Sequence, residues 1–193
     1  MQNITACMAR AWATNLRYRW SRLRHMGSPK HTSIRRDLYP RNQADILFTT
    51  AALHQAFVYV NDGLFRLYDS IDSPAGAWER AFNPGPLRDD CDGYHAALLW
   101  AVNVHMKSYL LTIVSSDIVK SHTCLYLPGP AANTGTVVNY RQIHREAPLL
   151  DLIVKVKRAQ QMPGVILAEL SDWTPAGWVS YKTLEGKAGQ LLC

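Results

Sequence analysis

Residues 89–106 read DDCDGYHAALLWAVNVHM, and the class of fold follows from this segment and the strands after it. Asp89 or Asp90 can cap the N-terminus of a helix, and apolar side chains then recur at helical spacing through Met106. A polar loop and a Pro/Gly turn separate three β-rich runs at 109–114, 123–127 and 136–140. We therefore predict an α+β fold in which this helix packs on an antiparallel sheet.

The flanking segments give weaker patterns. A helical pattern runs from Asn42 to Val60, and Asn61-Asp62-Gly63 is a turn signal. Prolines and glycines give residues 69–87 the composition of a loop, with Trp78 and Phe82 as its anchors in the core. Residues 149–157 fit either helix or strand. Further short strands are predicted at 165–170 and 177–181.

Composition and charge divide the chain into two parts. A length of 193 residues with 48% hydrophobic and 19% charged residues suits one folded domain and excludes disordered, coiled-coil and collagen-like proteins. Residues 1–41 hold nine basic side chains and one acid, whereas the rest holds 12 basic and 14 acidic groups. We predict a basic, helical arm with a connector over 1–41 and one domain over 42–193.

The arm has an apolar face within its basic surroundings. Trp12, Leu16, Trp20 and Leu23 recur at helical spacing between arginines. Such a face favours packing on a protein partner, on a larger assembly or on the chain's own domain. Contact with nucleic acid or with an anionic membrane is the alternative interpretation.

Localisation follows from features that the sequence lacks. No run of about 18 apolar residues predicts a transmembrane helix, and residues 1–27 have no apolar stretch typical of a secretory signal. We expect a soluble protein that is cytoplasmic or part of a particle assembled inside the cell. Its thiols should be reduced, because no C-x-x-C pair or disulfide framework links Cys7, Cys91, Cys124 and Cys193.

Cys91 is the strongest candidate for a reactive side chain. It lies where a Pro/Gly-rich loop enters the predicted helix, so its sulfur is expected in the first helical turn. Backbone N–H groups and the helix dipole favour a thiolate there, whereas the neighbouring aspartates oppose one. The alternative is a small core residue, since cysteine is often buried.

A base and an orienting residue follow in sequence. His122 begins the predicted strand at 123–127, and an imidazole beside the thiol can accept its proton and later protonate a leaving amine. Asn139 ends the next predicted strand. If the two strands pair antiparallel through the turn, the side-chain carbonyl of Asn139 can hold the far ring nitrogen of His122.

These residues resemble a known family. The run Asp89-Asp90-Cys91-Asp92-Gly93-Tyr94-His95-Ala96, with His122 heading one strand and a polar residue ending the next, resembles the transglutaminase-like cysteine peptidase superfamily of papain-like fold. The resemblance covers residues 74–143. It implies a helix that carries the cysteine and packs on an antiparallel sheet. It also implies that Cys91 is the nucleophile, His122 the general base and acid, and Asn139 the orienting residue.

The sequence departs from the usual motif of that superfamily. The motif has Gly-Asp before the cysteine and an acid two residues after it, whereas Asp89 replaces that glycine here and Gly93 replaces that acid. Asn139 stands where most members have aspartate, although papain-like enzymes use asparagine. We expect the oxyanion hole to use the Cys91 backbone N–H and a second donor from the preceding loop, near Trp78.

A metal site is a second interpretation of nearly the same residues. Cys91 and His95 are four residues apart on one helix face, and His122 and Cys124 are two residues apart on one strand, so that both point to the same side. Four such ligands could hold a tetrahedral zinc ion, although the spacing matches no common zinc module. The thioester interpretation requires no metal and no organic cofactor.

The sequence thus predicts a cysteine-dependent hydrolase or acyl transferase. Its substrate would be a peptide or peptidoglycan-like amide, which would react through a thioester. The alternative is a noncatalytic structural or binding protein on the same fold that docks through its basic N-terminal arm.

Overall fold

The structure, a computed structural model, has an α+β fold and describes residues 34–60, 73–117, 120–175 and 177–185. The helices of these ranges, after a 3₁₀ turn at Arg36–Leu38, are α1 (Ile46–Gln55), α2 (Pro74–Phe82), α3 (Cys91–Asn103) and α4 (Leu149–Ala159). The strands are β1 (Phe57–Tyr59), β2 (Leu87–Asp89), β3 (Tyr109–Ser115), β4 (His122–Pro128), β5 (Thr134–Asn139), β6 (Gln142–Pro148), β7 (Val165–Thr174) and β8 (Gly177–Glu185).

Six strands form an antiparallel sheet in the order β6-β5-β4-β3-β7-β8. Successive residues of its inner strands pack on opposite faces: Leu125 lies in one apolar cluster and Tyr126 in the other. Because both faces are covered, the inner strands β3 and β4 are buried along almost their whole length. The short strands β1 and β2 form a separate parallel pair.

Helix α3 lies at the centre of one apolar cluster. It contacts β4 on one side and α2 on the other, and ten of its 13 residues are buried. Its apolar side chains meet Leu110, Leu125, Leu127 and Val138 from the sheet and Trp78 from α2. This packing fixes the N-terminus of α3, and with it Cys91, beside the first residues of β4.

Helix α4 contributes to the second apolar cluster, which contains the opposite side chains of the same strands. Leu149, Leu152, Ile153 and Val156 lie on one face of α4. They share that cluster with Leu111, Ile113, Cys124, Tyr126 and Val137 of the sheet. The sheet is therefore covered by α4 on this face and by α3 on the other.

The structure confirms the predicted helix after Asp90, the three β-rich runs and the antiparallel pairing. The ambiguous segment at 149–157 is helical. Two expectations are wrong in part: the helix expected over 42–60 and the loop expected over 69–87. The pattern from Asn42 to Val60 is helical only as far as Gln55, because Phe57–Tyr59 pairs with β2. The predicted turn at 61–63 lies outside the described residues.

The expected loop at 69–87 contains helix α2. Its Ser73 is an N-cap whose hydroxyl accepts from the Gly76 N–H at 3.2 Å, and Pro74 follows at the first helical position. The Ser-Pro pair was the signal for this helix, which the high proline and glycine content obscured. Trp78 is fully buried, as expected of an anchor.

The packed structure also includes residues before 42. Leu38 is buried, and its carbonyl accepts from the Thr49 hydroxyl at 2.6 Å. The Trp78 indole N–H donates to the Ile34 carbonyl at 2.9 Å. Residues 34–41, expected in the connector, thus pack against α1 and α2. The predicted helical arm, with Trp12, Leu16, Trp20 and Leu23, lies outside the described residues.

Candidate active site

Cys91 is the first residue of α3. The Asp90 carboxylate caps the helix by accepting from the Asp92 N–H at 3.0 Å, which starts α3 at this position. Cys91 is partly exposed, and its thiol is in no disulfide. The sequence-based expectation of a cysteine at a helix N-terminus is therefore confirmed.

The Cys91 sulfur reaches the start of the sheet, where strands β4 and β5 separate. The Thr123 N–H donates to Cys91 Sγ at 3.4 Å. The β4–β5 ladder runs only from Leu125–Val138 to Pro128–Gly135, so the strands are open near the sulfur. A backbone N–H donor stabilises negative charge on the sulfur, and it also holds Cys91 close to the residue that follows His122.

The expected contact between His122 and Asn139 is present. The two side chains are 6% and 2% exposed, and His122 Nε2 lies 2.8 Å from Asn139 Oδ1. Because a carbonyl oxygen can only accept, Nε2 carries the hydrogen and donates. In the neutral ring, Nδ1 is then the basic nitrogen.

Burial lowers the pKa of His122 below its usual value. The hydrogen bond that His122 donates to Asn139 and the charge of Asp90 act in the opposite direction but do not cancel the effect of burial. The ring is therefore neutral near pH 7, and so it can accept a proton.

The two departures from the superfamily motif lie side by side. The Asp89 carboxylate packs against Gly93, and a Cβ added at Gly93 would overlap it. This carboxylate also accepts from the Asp90 N–H at 2.9 Å and from Arg80 at 3.3 Å. Asp89 thus fills the space in which a side chain at position 93 would lie. An acidic group therefore lies beside position 93, and position 89 supplies it.

The structure does not support the zinc interpretation. His95 uses both ring nitrogens within the protein: Nδ1 contacts the Cys91 carbonyl at 2.6 Å, and Nε2 accepts from the Tyr140 N–H at 3.1 Å. Cys124 lies in the cluster with α4, where its thiol donates to the Leu111 carbonyl. Among the described residues, the acidic and metal-ligating side chains that converge are Asp89, Asp90 and Asp92, not the proposed zinc ligands.

The second oxyanion-hole donor, expected from the loop near Trp78, is not the indole of Trp78 itself. Its indole is fully buried in the core, and its N–H already donates to the Ile34 carbonyl. A tryptophan in a Pro/Gly-rich segment indicated an anchor in the core, and the buried position of Trp78 agrees with that prediction.

The site also contains three residues whose roles the sequence did not predict: Thr123, His95 and Tyr140. The Tyr140 ring lies against His122, with ring centres 5.7 Å apart, and against His95 at 5.0 Å. Tyr140 has a positive φ of 51°, which turns the chain away from Asn139. A histidine inside an apolar helix, four residues after Cys91, was the available signal for His95.

Comparisons with known proteins leave the family open. No family model and no curated protein sequence matches the chain. The resemblance to the transglutaminase-like superfamily rests on the residues around Cys91, His122 and Asn139.

No helix within the described ranges is both long and apolar enough to cross a membrane.

Proposed function

We propose that this protein is a cysteine-dependent amide hydrolase or acyl transferase with a transglutaminase-like, papain-related core. One observation carries the proposal: the hydrogen-bonded pair of His122 and Asn139 lies at the strand opening where the Thr123 N–H contacts Cys91 Sγ. Nucleophile, base and orienting group are the three parts that such catalysis needs.

The proposed reaction proceeds in two steps. His122 Nδ1 takes the Cys91 proton, and the thiolate attacks the carbonyl carbon of the amide. The tetrahedral intermediate collapses as the C–N bond breaks, and the imidazolium gives its proton to the departing amine. The product is a thioester on Cys91.

Water or a second amine then resolves the thioester. His122 accepts a proton from the attacking group, a new C–O or C–N bond forms, and the C–S bond breaks. The proton returns to the sulfur. Asn139 acts throughout by holding the Nε2 side of the ring, which keeps Nδ1 available for the proton transfers.

The substrate class, a peptide or peptidoglycan-like amide, is proposed from the superfamily resemblance. Cys91 is partly exposed, so a scissile bond can reach it from the protein surface. Cytoplasmic localisation or assembly into an intracellular particle, with docking through residues 1–41, is proposed from the sequence.

The first test compares all four cysteines. We expect iodoacetamide near pH 7 to alkylate Cys91 at least about tenfold faster than Cys7, Cys124 or Cys193, as measured by peptide mass mapping. The Cys91→Ala variant should lack the fast reaction. Uniform slow labelling would contradict the enzyme and favour the noncatalytic structural or binding protein.

An activated ester separates hydrolysis from transfer. 4-Nitrophenyl acetate should acetylate Cys91 in a stoichiometric burst that Cys91→Ala lacks. Loss of the acetyl group in buffer alone indicates a hydrolase, whereas its acceleration by added methylamine, with N-methylacetamide as product, indicates an acyl transferase. An acetyl group that is stable under both conditions contradicts turnover.

A further inference from the structure

His95 lies inside helix α3 and is fully buried. Its ring contacts three aromatic side chains, with centres 5.0 Å from Tyr94, 5.0 Å from Tyr140 and 6.0 Å from His122. A polar ring in such a place costs free energy unless its nitrogens are hydrogen-bonded. Both nitrogens of His95 are hydrogen-bonded. One partner belongs to Cys91, and the other belongs to the residue that follows Asn139.

The two hydrogen bonds make His95 a bridge. Nδ1–H donates to the carbonyl of Cys91 at 2.6 Å, and Nε2 accepts from the backbone N–H of Tyr140 at 3.1 Å. Cys91 carries the nucleophile, and Tyr140 directly follows Asn139. A single imidazole therefore joins the backbone of the nucleophile to the backbone beside the orienting residue.

This bridge lies where strand pairing is missing. The β4–β5 ladder ends at Leu125–Val138, so it does not fix Asn139 against the start of β4. Asn139 pairs with Gln142 in β6, on its other side. The position of Asn139 relative to His122 therefore needs another restraint, and the His95 bridge supplies one.

We propose that His95 is a positioning residue, which holds Asn139 against the catalytic ring of His122 by tying Tyr140 to Cys91. The inference rests on the proposed cysteine-dependent function. His95 acts on the reaction only through the backbone of Cys91 and Tyr140. Its role is to keep the reacting groups of α3, β4 and β5 in one geometry.

The bridge requires a neutral ring. Nε2 must accept from Tyr140, so protonation there would set two donors against each other. Burial, with a smaller contribution from His122, lowers the pKa of His95 to about 3. The ring therefore keeps one donor and one acceptor throughout the pH range in which a cysteine enzyme works.

The test measures Cys91 alkylation by iodoacetamide between pH 5 and pH 9 in the full-length protein. His95→Leu removes both hydrogen bonds, whereas His95→Gln keeps a donor and an acceptor on a side chain of comparable reach. His54→Leu, on the exposed surface of α1, is the matched control. Circular dichroism gives the folded fraction of each variant.

We expect His95→Leu to slow Cys91 alkylation by roughly tenfold to a hundredfold at pH 7. Its rate profile should also shift upwards toward the usual thiol pKa of about 8.5. His95→Gln should stay within about threefold of the wild type, and His54→Leu should not change. If His95→Leu does not fold, His95→Asn serves instead, because its shorter amide cannot span both partners.

A folded His95→Leu or His95→Asn variant with the wild-type rate and profile would overturn the positioning role, because a purely structural residue changes stability alone. Equal slowing by His95→Gln and His95→Leu would overturn it too. Failure of the proposed function gives a different result: Cys91 of the wild type would then react no faster than the other thiols.

Discussion

Cys91 and Cys124 show how the two faces of one sheet give the same side chain opposite properties. Cys91, partly exposed at the start of α3, accepts from the backbone N–H of Thr123, which directly follows His122 in the chain, and His122 is hydrogen-bonded to Asn139. Cys124 is fully buried near α4 and donates to a backbone carbonyl. Burial raises the pKa of the Cys124 thiol, so it stays protonated.

The difference lies in the position of each cysteine relative to the ends of its element. Cys91 begins a helix, where backbone N–H groups are not used by the helix itself. Cys124 lies inside a strand that is paired on the β3 side and covered by apolar side chains. The reactivity proposed for Cys91 therefore depends on groups that meet where the β4–β5 ladder ends.

The largest expected effect comes from removing the base. His122→Ala should slow alkylation of Cys91 at pH 7 by about a hundredfold, because no imidazole remains to take the thiol proton. Cys91 would then react nearly as slowly as Cys124. The measurement is peptide-resolved labelling by mass spectrometry.

His144→Ala is the matched control for this variant. His144 lies on β6, and burial also lowers the pKa of its ring, with the charge of Lys155 adding to the effect. We expect the Cys91 rate to be unchanged. Equal slowing in both variants would show that loss of any buried or half-buried histidine perturbs the protein, and the special role of His122 would be withdrawn.

A smaller effect is expected from Gly93→Ala, measured as the free energy of unfolding in urea. Alanine normally stabilises a helix interior by about 1 kcal/mol relative to glycine. At Gly93 the new methyl group would overlap the Asp89 carboxylate, which Arg80 and the Asp90 N–H hold in place. We therefore expect a loss of about 1–3 kcal/mol.

A double-mutant cycle sharpens this result. Combining Gly93→Ala with Asp89→Ala removes the overlap, so the double variant should be more stable than the sum of the single changes predicts. On the other face of the sheet, Lys155→Ala in α4 should change stability by less than about 0.5 kcal/mol. A stabilising Gly93→Ala would contradict the packing described for Asp89.

A pH dependence of stability is expected to arise from His95 in α3. His95 has a pKa of about 3 in the folded protein and about 6.5 when unfolded, so below pH 6.5 the unfolded chain binds one more proton. Unfolding free energy should therefore fall as the pH drops, by up to about 1.4 kcal/mol per pH unit between pH 6 and pH 4. The lowered pKa of His122 acts in the same direction.

Urea unfolding at pH 7.5, 6.5, 5.5 and 4.5 measures this slope. His95→Gln cannot take up the proton, so its slope should be smaller by the contribution of one group. Identical slopes in the two proteins would mean that His95 takes up its proton in the folded protein over the same pH range as in the unfolded chain. The protonated ring would also lose its bridge to Tyr140.

Much of the fold was predictable because local patterns and tertiary packing agree. The Asp90 cap, the apolar positions of α3 and the β-rich runs of β3, β4 and β5 each favour the structure they adopt. Strand β6 escaped prediction, because its residues are half-buried or exposed and carry no clear alternation. The end of α1 was also misplaced, since pairing with β2 overrides the helical pattern at Phe57.

The candidate site was predictable only in outline. The order of Cys91, His122 and Asn139 along the chain indicated which residues to consider, and the antiparallel turn made the His122–Asn139 contact expected. The roles of Thr123 and His95 were hidden, because both depend on where the β4–β5 ladder stops. Nothing in the local sequence specifies that point.

The sequence by itself determined the α+β class, the helix N-terminus at Cys91 and the residue types available for chemistry, because capping, periodicity and composition act over a few neighbouring residues. Only the tertiary structure decided which cysteine lies at the open end of the β4–β5 ladder, which acid fills the space beside Gly93 and which histidine links Cys91 to Tyr140. Those outcomes depend on contacts between residues far apart in the chain, such as His95 with Tyr140 and Cys91 with Thr123. Such contacts form only when the helix and the sheet pack together.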